Sequence, residues 1–143
     1  SRFGAFLDST LDRLSEAAVL AGIAGFGVRN LEALVLAPER AAREIELGLD
    51  PIAWVGLVVL AMLALTGSFM VSYTRARAEG LGLECKVGWF ERPERVVLLI
   101  VAGALQVFWA MPVALMLLTV LSFATAAQRV AHVWKHTRGA GRD

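Results

Sequence analysis

Ile52-Ala-Trp-Val-Gly-Leu-Val-Val-Leu-Ala-Met-Leu-Ala-Leu-Thr-Gly-Ser-Phe-Met-Val-Ser-Tyr73 contains no charged residue. A helix needs about 20 mainly apolar residues to cross the hydrocarbon core of a bilayer. This stretch is long enough and reads as a transmembrane helix. The whole chain fits the same class: 57% of its 143 residues are hydrophobic, against roughly 45–50% in a soluble domain.

Working outward, three more segments read as spans. Residues 3–28 are apolar apart from Asp8, Asp12, Arg13 and Glu16 in their first half. Val96 to Trp134 is apolar for longer than one span requires, and Pro112 divides it, because proline breaks or kinks a helix interior. Spans at about 95–111 and 113–134 joined by a tight turn are expected there; one long kinked helix is the alternative. The expected fold is an all-α membrane protein with four transmembrane helices in a single domain. Residues 29–51 form an outer loop, 74–94 a cytoplasmic loop and 135–143 a flexible tail. In the outer loop Pro38 followed by acids suits the start of a short surface helix.

This topology puts eleven of the fourteen Lys and Arg residues on one side. The positive-inside rule assigns that side to the cytoplasm. Trp54 and Trp109 then fall near the outer interface, and Trp89 and Trp134 near the inner one, as expected for aromatic anchors. Asp8 and Asp12 lie shallow on the cytoplasmic side. A net charge of +1 gives no basic field for nucleic acid. The single Cys85 excludes an internal disulfide. No charge lies in the middle of the second or third span, which disfavours a channel or transporter.

Ionisable residues in a membrane segment point to function. Asp8 and Asp12 are four apart and share one helix face. Two such carboxylates can bind a hard divalent cation through oxygen, with further ligands supplied from elsewhere. By spacing alone they read equally well as solvated acids at a helix end. The cytoplasmic segment carries Arg75, Arg77, Arg92 and Arg95 beside four acids. Guanidinium groups bind phosphate bidentately and keep their charge when partly buried, so a phosphate pocket is favoured over simple anchoring to anionic lipid. Arg75 and Arg77 are two apart and cannot share a helix face. His132 and His136 are four apart on the last span, a weak metal signal without a third ligand. Gly22, Ala24, Gly25 and Gly27 permit close helix contact, in a bundle or in a homodimer.

Gly4-xxx-Asp8-xxx-Asp12 resembles the second half of the signature of the CDP-alcohol phosphatidyltransferases, D-xx-D-G-xx-A-R followed after a spacer by G-xxx-D-xxx-D. Ser72-Tyr-Thr-Arg-Ala-Arg-Ala-Glu79 and Glu91-Arg-Pro-Glu-Arg95 resemble the branch that makes phosphatidylinositol phosphate or its archaeal ether-lipid counterpart. The resemblance covers nearly the whole chain. It implies a six-helix bundle around a cytoplasm-facing cavity and a role in phospholipid biosynthesis. A phosphatidyl or archaetidyl group would pass from CDP-diacylglycerol or CDP-archaeol to a phosphorylated alcohol such as inositol phosphate, with release of CMP. It implies Mg²⁺ or Mn²⁺ as cofactor, with Asp8 and Asp12 as metal ligands. Asp12 would also be the general base, Gly4 would admit the nucleotide of the CDP-lipid, and Arg77, Arg92 and Arg95 would hold the acceptor phosphate. The first half of the signature is absent, so the resemblance implies the C-terminal part of an enzyme, inactive in isolation. Two rival expectations stand: the same chemistry with glycerol phosphate or another alcohol, and a non-catalytic membrane subunit whose acids are structural.

Overall fold

The computed structural model describes residues 1–85, 87–88, 90, 92–105 and 107–139, the side chains of residues 92 and 139 excepted. The chain forms five α-helices: α1 (Arg2–Leu36), α2 (Pro38–Glu46), α3 (Pro51–Gly80), α4 (Arg92–Ala104) and α5 (Ala110–Gly139). No strand occurs among the described residues. Its contacts divide into two units, Ser1–Leu65 and Thr66–Asp143, with α3 belonging partly to each.

Local chemistry sets most helix ends. The Ser1 hydroxyl caps α1 by accepting from the Gly4 N–H at 3.0 Å. Pro38 stops α1, because the residue before a proline is driven out of the α region, and then serves as the first residue of α2. Asp50 caps α3, accepting from the Ala53 N–H at 2.7 Å, with Pro51 at the first helical position. Both α2 and α3 end in a Schellman motif. Gly48 and Gly82 take φ of 75°, Leu49 N–H bonds to Glu44 O, and Leu83 N–H bonds to Ala78 O.

In the first unit α2 packs on α1. Arg40 Nη2 donates to Asn30 Oδ1 at 3.2 Å while Asn30 Nδ2 donates to Phe26 O at 2.8 Å, so this buried amide is satisfied at both ends. Phe26 meets Trp54 edge-on, centroids 5.8 Å apart. Gly27 lets α1 approach α3: a Cβ there would stand 2.8 Å from Val58 Cγ2. In the second unit α4 packs on α5, and Gly67 of α3 lies against Ser122 and Phe123 of α5.

Three helices, α1, α3 and α5, are long and apolar enough to cross a membrane. No more than 33% of the apolar window of each is buried. Val35, Ile52 and Val120 are largely exposed, while Ser68, Ser122, Thr125 and Arg129 are buried. An apolar exterior over polar interior side chains suits hydrocarbon surroundings and would be an aggregation liability in water. The chain is an all-α membrane protein. The fourth segment expected to span is α4, whose 13 residues rise only about 20 Å.

Several expected boundaries shift. Helix α4 ends at Ala104 and α5 begins at Ala110, so the break between the last two helices precedes Met111, and Pro112 is the third residue of α5. A proline in the first turn costs little, since its missing N–H would have had no intrahelical partner. Helix α1 carries on through Arg29 to Leu36, so the segment expected to be an outer loop contracts to the turns around α2. Arg75 and Arg77 lie on α3, and α5 continues to Gly139. Lys86, Trp89, Arg142 and the tail at 140–143 lie outside the described residues.

Candidate functional site

The expected site residues fall into two groups. On α1, Gly4, Asp8 and Asp12 occupy successive turns of one i, i+4 ridge. Glu16 is the next member of that ridge, and from Glu16 onward it is the face that α1 buries, through Leu20, Ala24 and Gly27. Asp8 is exposed and Asp12 half-buried. Around them Ser9 and Thr10 hydroxyls donate to Phe6 O, Arg13 Nη1 to Ser9 O and Ser15 Oγ to Asp12 O. Gly4 is exposed, and a Cβ on it would meet Ser1 Oγ at 3.3 Å. The helix therefore makes little demand for glycine there.

Two carboxylates on adjacent turns are the donor type that a hard divalent cation takes. Among the described residues no group of three or more His, Cys, Asp and Glu side chains is placed to hold a metal. An ion on Asp8 and Asp12 would need further oxygen ligands beyond these two carboxylates.

The arginines belong to the second unit. Arg75 Nε pairs with Glu79 Oε1 at 2.9 Å on the open surface of α3. Arg77, two residues on, lines a cleft of about 360 Å³ with Tyr73, Thr74, Val133 and Trp134. Arg129 of α5 lines the same cleft. Arg95 is buried in the first turns of α4. Arg92 opens that helix. A second cleft of about 370 Å³ is lined by Glu84, His132 and His136. The two rings lie 4.1 Å apart, and His136 Nδ1 stands 2.9 Å from His132 O.

Arg129 is the residue that sequence reasoning missed, having counted it among the basic residues of the cytoplasmic side. It is 3% exposed. Its Nε donates to Val87 O at 2.8 Å and its Nη1 to Val71 O. The one available signal was an arginine following Ala124-Thr-Ala-Ala127, small residues that let another backbone come close.

With this geometry in place, comparison with known proteins is informative. No family model matches the chain. It is 37% identical over 140 residues to an archaetidylinositol phosphate synthase of Methanothermobacter thermautotrophicus, covering 95% of this chain and 57% of that protein. It is 34% identical over 143 residues to a phosphatidylinositol phosphate synthase of Mycobacterium marinum, covering 94% of this chain and 51% of that one. A crystal structure of the Mycobacterium tuberculosis phosphatidylinositol phosphate synthase, in complex with manganese and citrate, superposes with a TM-score of 0.70 at 30% identity, over 94% of this chain and 57% of that one. Over nearly its whole length the chain is similar to the phosphatidylinositol phosphate synthase-like CDP-alcohol phosphatidyltransferases. A second structure of the M. tuberculosis enzyme, with CDP-DAG bound, superposes at a TM-score of 0.64 and 31% identity, over 94% of this chain and 60% of that one. The chain spans about half the length of the curated synthases it matches.

Proposed function

We propose that this synthase-family protein transfers a phosphatidyl or archaetidyl group from a CDP-linked lipid to inositol phosphate, releasing CMP. The observation that carries the proposal is the ridge on α1, where Gly4, Asp8 and Asp12 sit one turn apart on the face that becomes the helix's buried side. A relative with this chemistry in its name and a neighbour bound to CDP-DAG support the same reading.

In this reading Asp8 and Asp12 hold a divalent cation, Mg²⁺ or Mn²⁺; manganese is present in the related M. tuberculosis structure. When bound, such an ion neutralises charge on phosphoryl oxygens. Gly4 offers a side-chain-free stretch of helix to the cytidine nucleotide. Asp12 accepts the proton of the acceptor hydroxyl. That oxygen forms a bond to the lipid-side phosphorus, the bond from this phosphorus to the CMP oxygen breaks, and CMP leaves with the electron pair. Arg77, Arg92 and Arg95 hold the acceptor phosphate through charge-assisted hydrogen bonds, with Arg129 beside Arg77 in one cleft. The distribution of basic residues supports a cytoplasmic position for this chemistry.

The test is CMP release by the full-length protein in lipid vesicles supplied with CDP-diacylglycerol or CDP-archaeol and, separately, inositol phosphate, glycerol phosphate or inositol. Turnover is expected with inositol phosphate, to be abolished by a chelator and restored by Mg²⁺ or Mn²⁺. Turnover with glycerol phosphate alone would move the acceptor assignment. No turnover with any acceptor would overturn the reading.

A further inference from the structure

Helix α2 is turned the opposite way from a surface helix in water. Arg40 and Glu44, four apart, line its side toward α1, where Arg40 donates to both Glu44 Oε1 and Asn30 Oδ1. The Glu44 side chain is 13% exposed, and its Oε2 is buried without a hydrogen-bond partner among the described residues. Pro38, Ala42 and Ile45 share a different face, and Ile45 is 51% exposed. Just past the helix, Leu47 is also exposed. In water this arrangement is unfavourable twice over: a carboxylate is buried and an isoleucine is left out. The neighbouring helix ends continue the pattern. Val35 and Leu36 close α1 and Ile52 opens α3, each at least 74% exposed. Both of those helices are long and apolar enough to cross a membrane, so along the chain their exposed apolar surface leads onto α2 from either side.

We propose that α2 is an interfacial helix: its Pro38, Ala42 and Ile45 face, together with Leu47, rests in the acyl chains of the leaflet at which α1 ends, and bilayer lipid is what covers it. Ala37 alone links α2 to α1, and residues 47–50 link it to α3, which holds it at the level where those helices leave the hydrocarbon. Charge does not supply the attachment. Helix α2 carries Glu39, Glu44 and Glu46 against Arg40 and Arg43, and a segment of that sign gains nothing from anionic lipid. Burial of apolar surface drives it, as in other amphipathic helices that lie in an interface. The placement also levels α1. From Asp12 to Leu36 the helix rises about 36 Å, slightly more than the roughly 30 Å of a hydrocarbon core. With α1 near the membrane normal, an α2 lying in one interface therefore puts Asp12 at the headgroups of the other. The lipid contact rests on geometry alone; that the level of Asp12 matters to catalysis rests on the transferase reading.

The experiment uses the full-length protein with its other cysteines replaced and one nitroxide label, attached through Glu39→Cys, Ala42→Cys, Arg43→Cys, Ile45→Cys or Leu11→Cys. All five positions are exposed, so the labels leave the packed side chains in place. The protein is set in vesicles of phosphatidylcholine alone, or of phosphatidylcholine with phosphatidylglycerol. Collision of each label with oxygen, which concentrates among acyl chains, is compared with collision with a water-soluble nickel chelate. Relative to nickel, the labels at 42 and 45 are expected to meet oxygen several-fold more than those at 39 and 43, in both kinds of vesicle. The label at 11, beside Asp12, is expected at headgroup depth. Equal nickel access on the two faces overturns the proposal, because α2 then lies in water. Protection of 42 and 45 from both reagents also overturns it, in favour of a protein occupant, whether a further segment or a second copy. Oxygen contact confined to the anionic vesicles overturns the apolar basis of the attachment. A label at 11 found at hydrocarbon depth overturns the levelling of α1 and leaves the lipid contact standing. None of these readouts uses CMP release, so a failure of the transferase reading leaves the position of α2 decided.

Discussion

The first turns of α1 and the strap formed by residues 81–85, 87, 88 and 90 between α3 and α4 are built in opposite ways. In α1 the side chains of Ser9, Thr10, Arg13 and Ser15 bond back to carbonyls of their own helix. Asp8 is exposed, and Gly4 has only a flexible hydroxyl near the place a methyl would fill. In the strap, Cys85 and Phe90 are buried, Gly88 has no room for a Cβ, and Val87 is tied to a helix 42 residues away in sequence. The groups proposed to meet a ligand stand on a helix within which these four side chains bond back, where a substitution changes what the ligand meets. The strap is locked by long-range contacts, where a substitution changes the fold first.

The largest effect that can break this contrast is at Asp12. Asp12→Asn is expected to lower CMP release by roughly 10²–10⁴-fold, the usual worth of a positioned general base. Its unfolding midpoint in detergent should hardly move, because asparagine is nearly isosteric with aspartate and leaves the helix's backbone bonds in place. A variant that loses activity and stability together would make the α1 acids structural, like the strap.

Next comes Arg129→Gln, the converse case. Two charge-assisted hydrogen bonds to carbonyls of other elements are lost and buried acceptors are exposed to mismatch, so a destabilisation of about 3 kcal/mol is expected. Denaturant titration followed by tryptophan fluorescence measures it. A loss below about 1 kcal/mol would put the strap among ordinary surface loops.

Smaller again is the difference among the glycines of α1. Gly27→Ala places a methyl 2.8 Å from Val58 Cγ2 and should cost about 1–2 kcal/mol through overpacking. Gly22→Ala and Gly25→Ala meet nothing within 4 Å and should stabilise by up to about 1 kcal/mol, since alanine is the better helix former. Thermal melts of the three variants decide it. Destabilisation by Gly22→Ala or Gly25→Ala would mean that this open face is covered, by a further segment or by another chain.

The parts of this architecture legible in the sequence are those set by local rules. A charge-free run of 22 residues between Ile52 and Tyr73 announces a membrane helix, and α3 is that helix. The i, i+4 spacing puts Asp8 and Asp12 on one face whatever surrounds them. Pro112 misled for a local reason too: as a breaker it suggested a turn at its own position, yet a proline is equally at home in a first helical turn, and α5 has already begun at Ala110. Arg129 was opaque because its role is made of partners 42 and 58 residues distant. No periodicity encodes a guanidinium reaching the carbonyls of two other segments, and a positive residue near a membrane surface already had a sufficient explanation in topology.

The smallest expected effect lies within a single turn of α3 and reproduces the contrast in miniature. Arg75 and Arg77 are two residues apart, about 200° around the helix. Arg75 pairs with Glu79 in the open, the two side chains 45% and 53% exposed. An exposed pair of this kind contributes no more than a few tenths of a kcal/mol, so Arg75→Ala should leave stability and the KM for inositol phosphate essentially where they are. Arg77 lines the cleft it shares with Arg129, and Arg77→Ala should raise that KM roughly ten-fold, as loss of a charge-assisted phosphate contact does. Kinetics of the two single variants, measured side by side, separate a surface charge from a binding one. If Arg75→Ala raised the KM as much as Arg77→Ala, the arginines would be acting as a diffuse positive field, and the cleft would lose its claim to the acceptor phosphate.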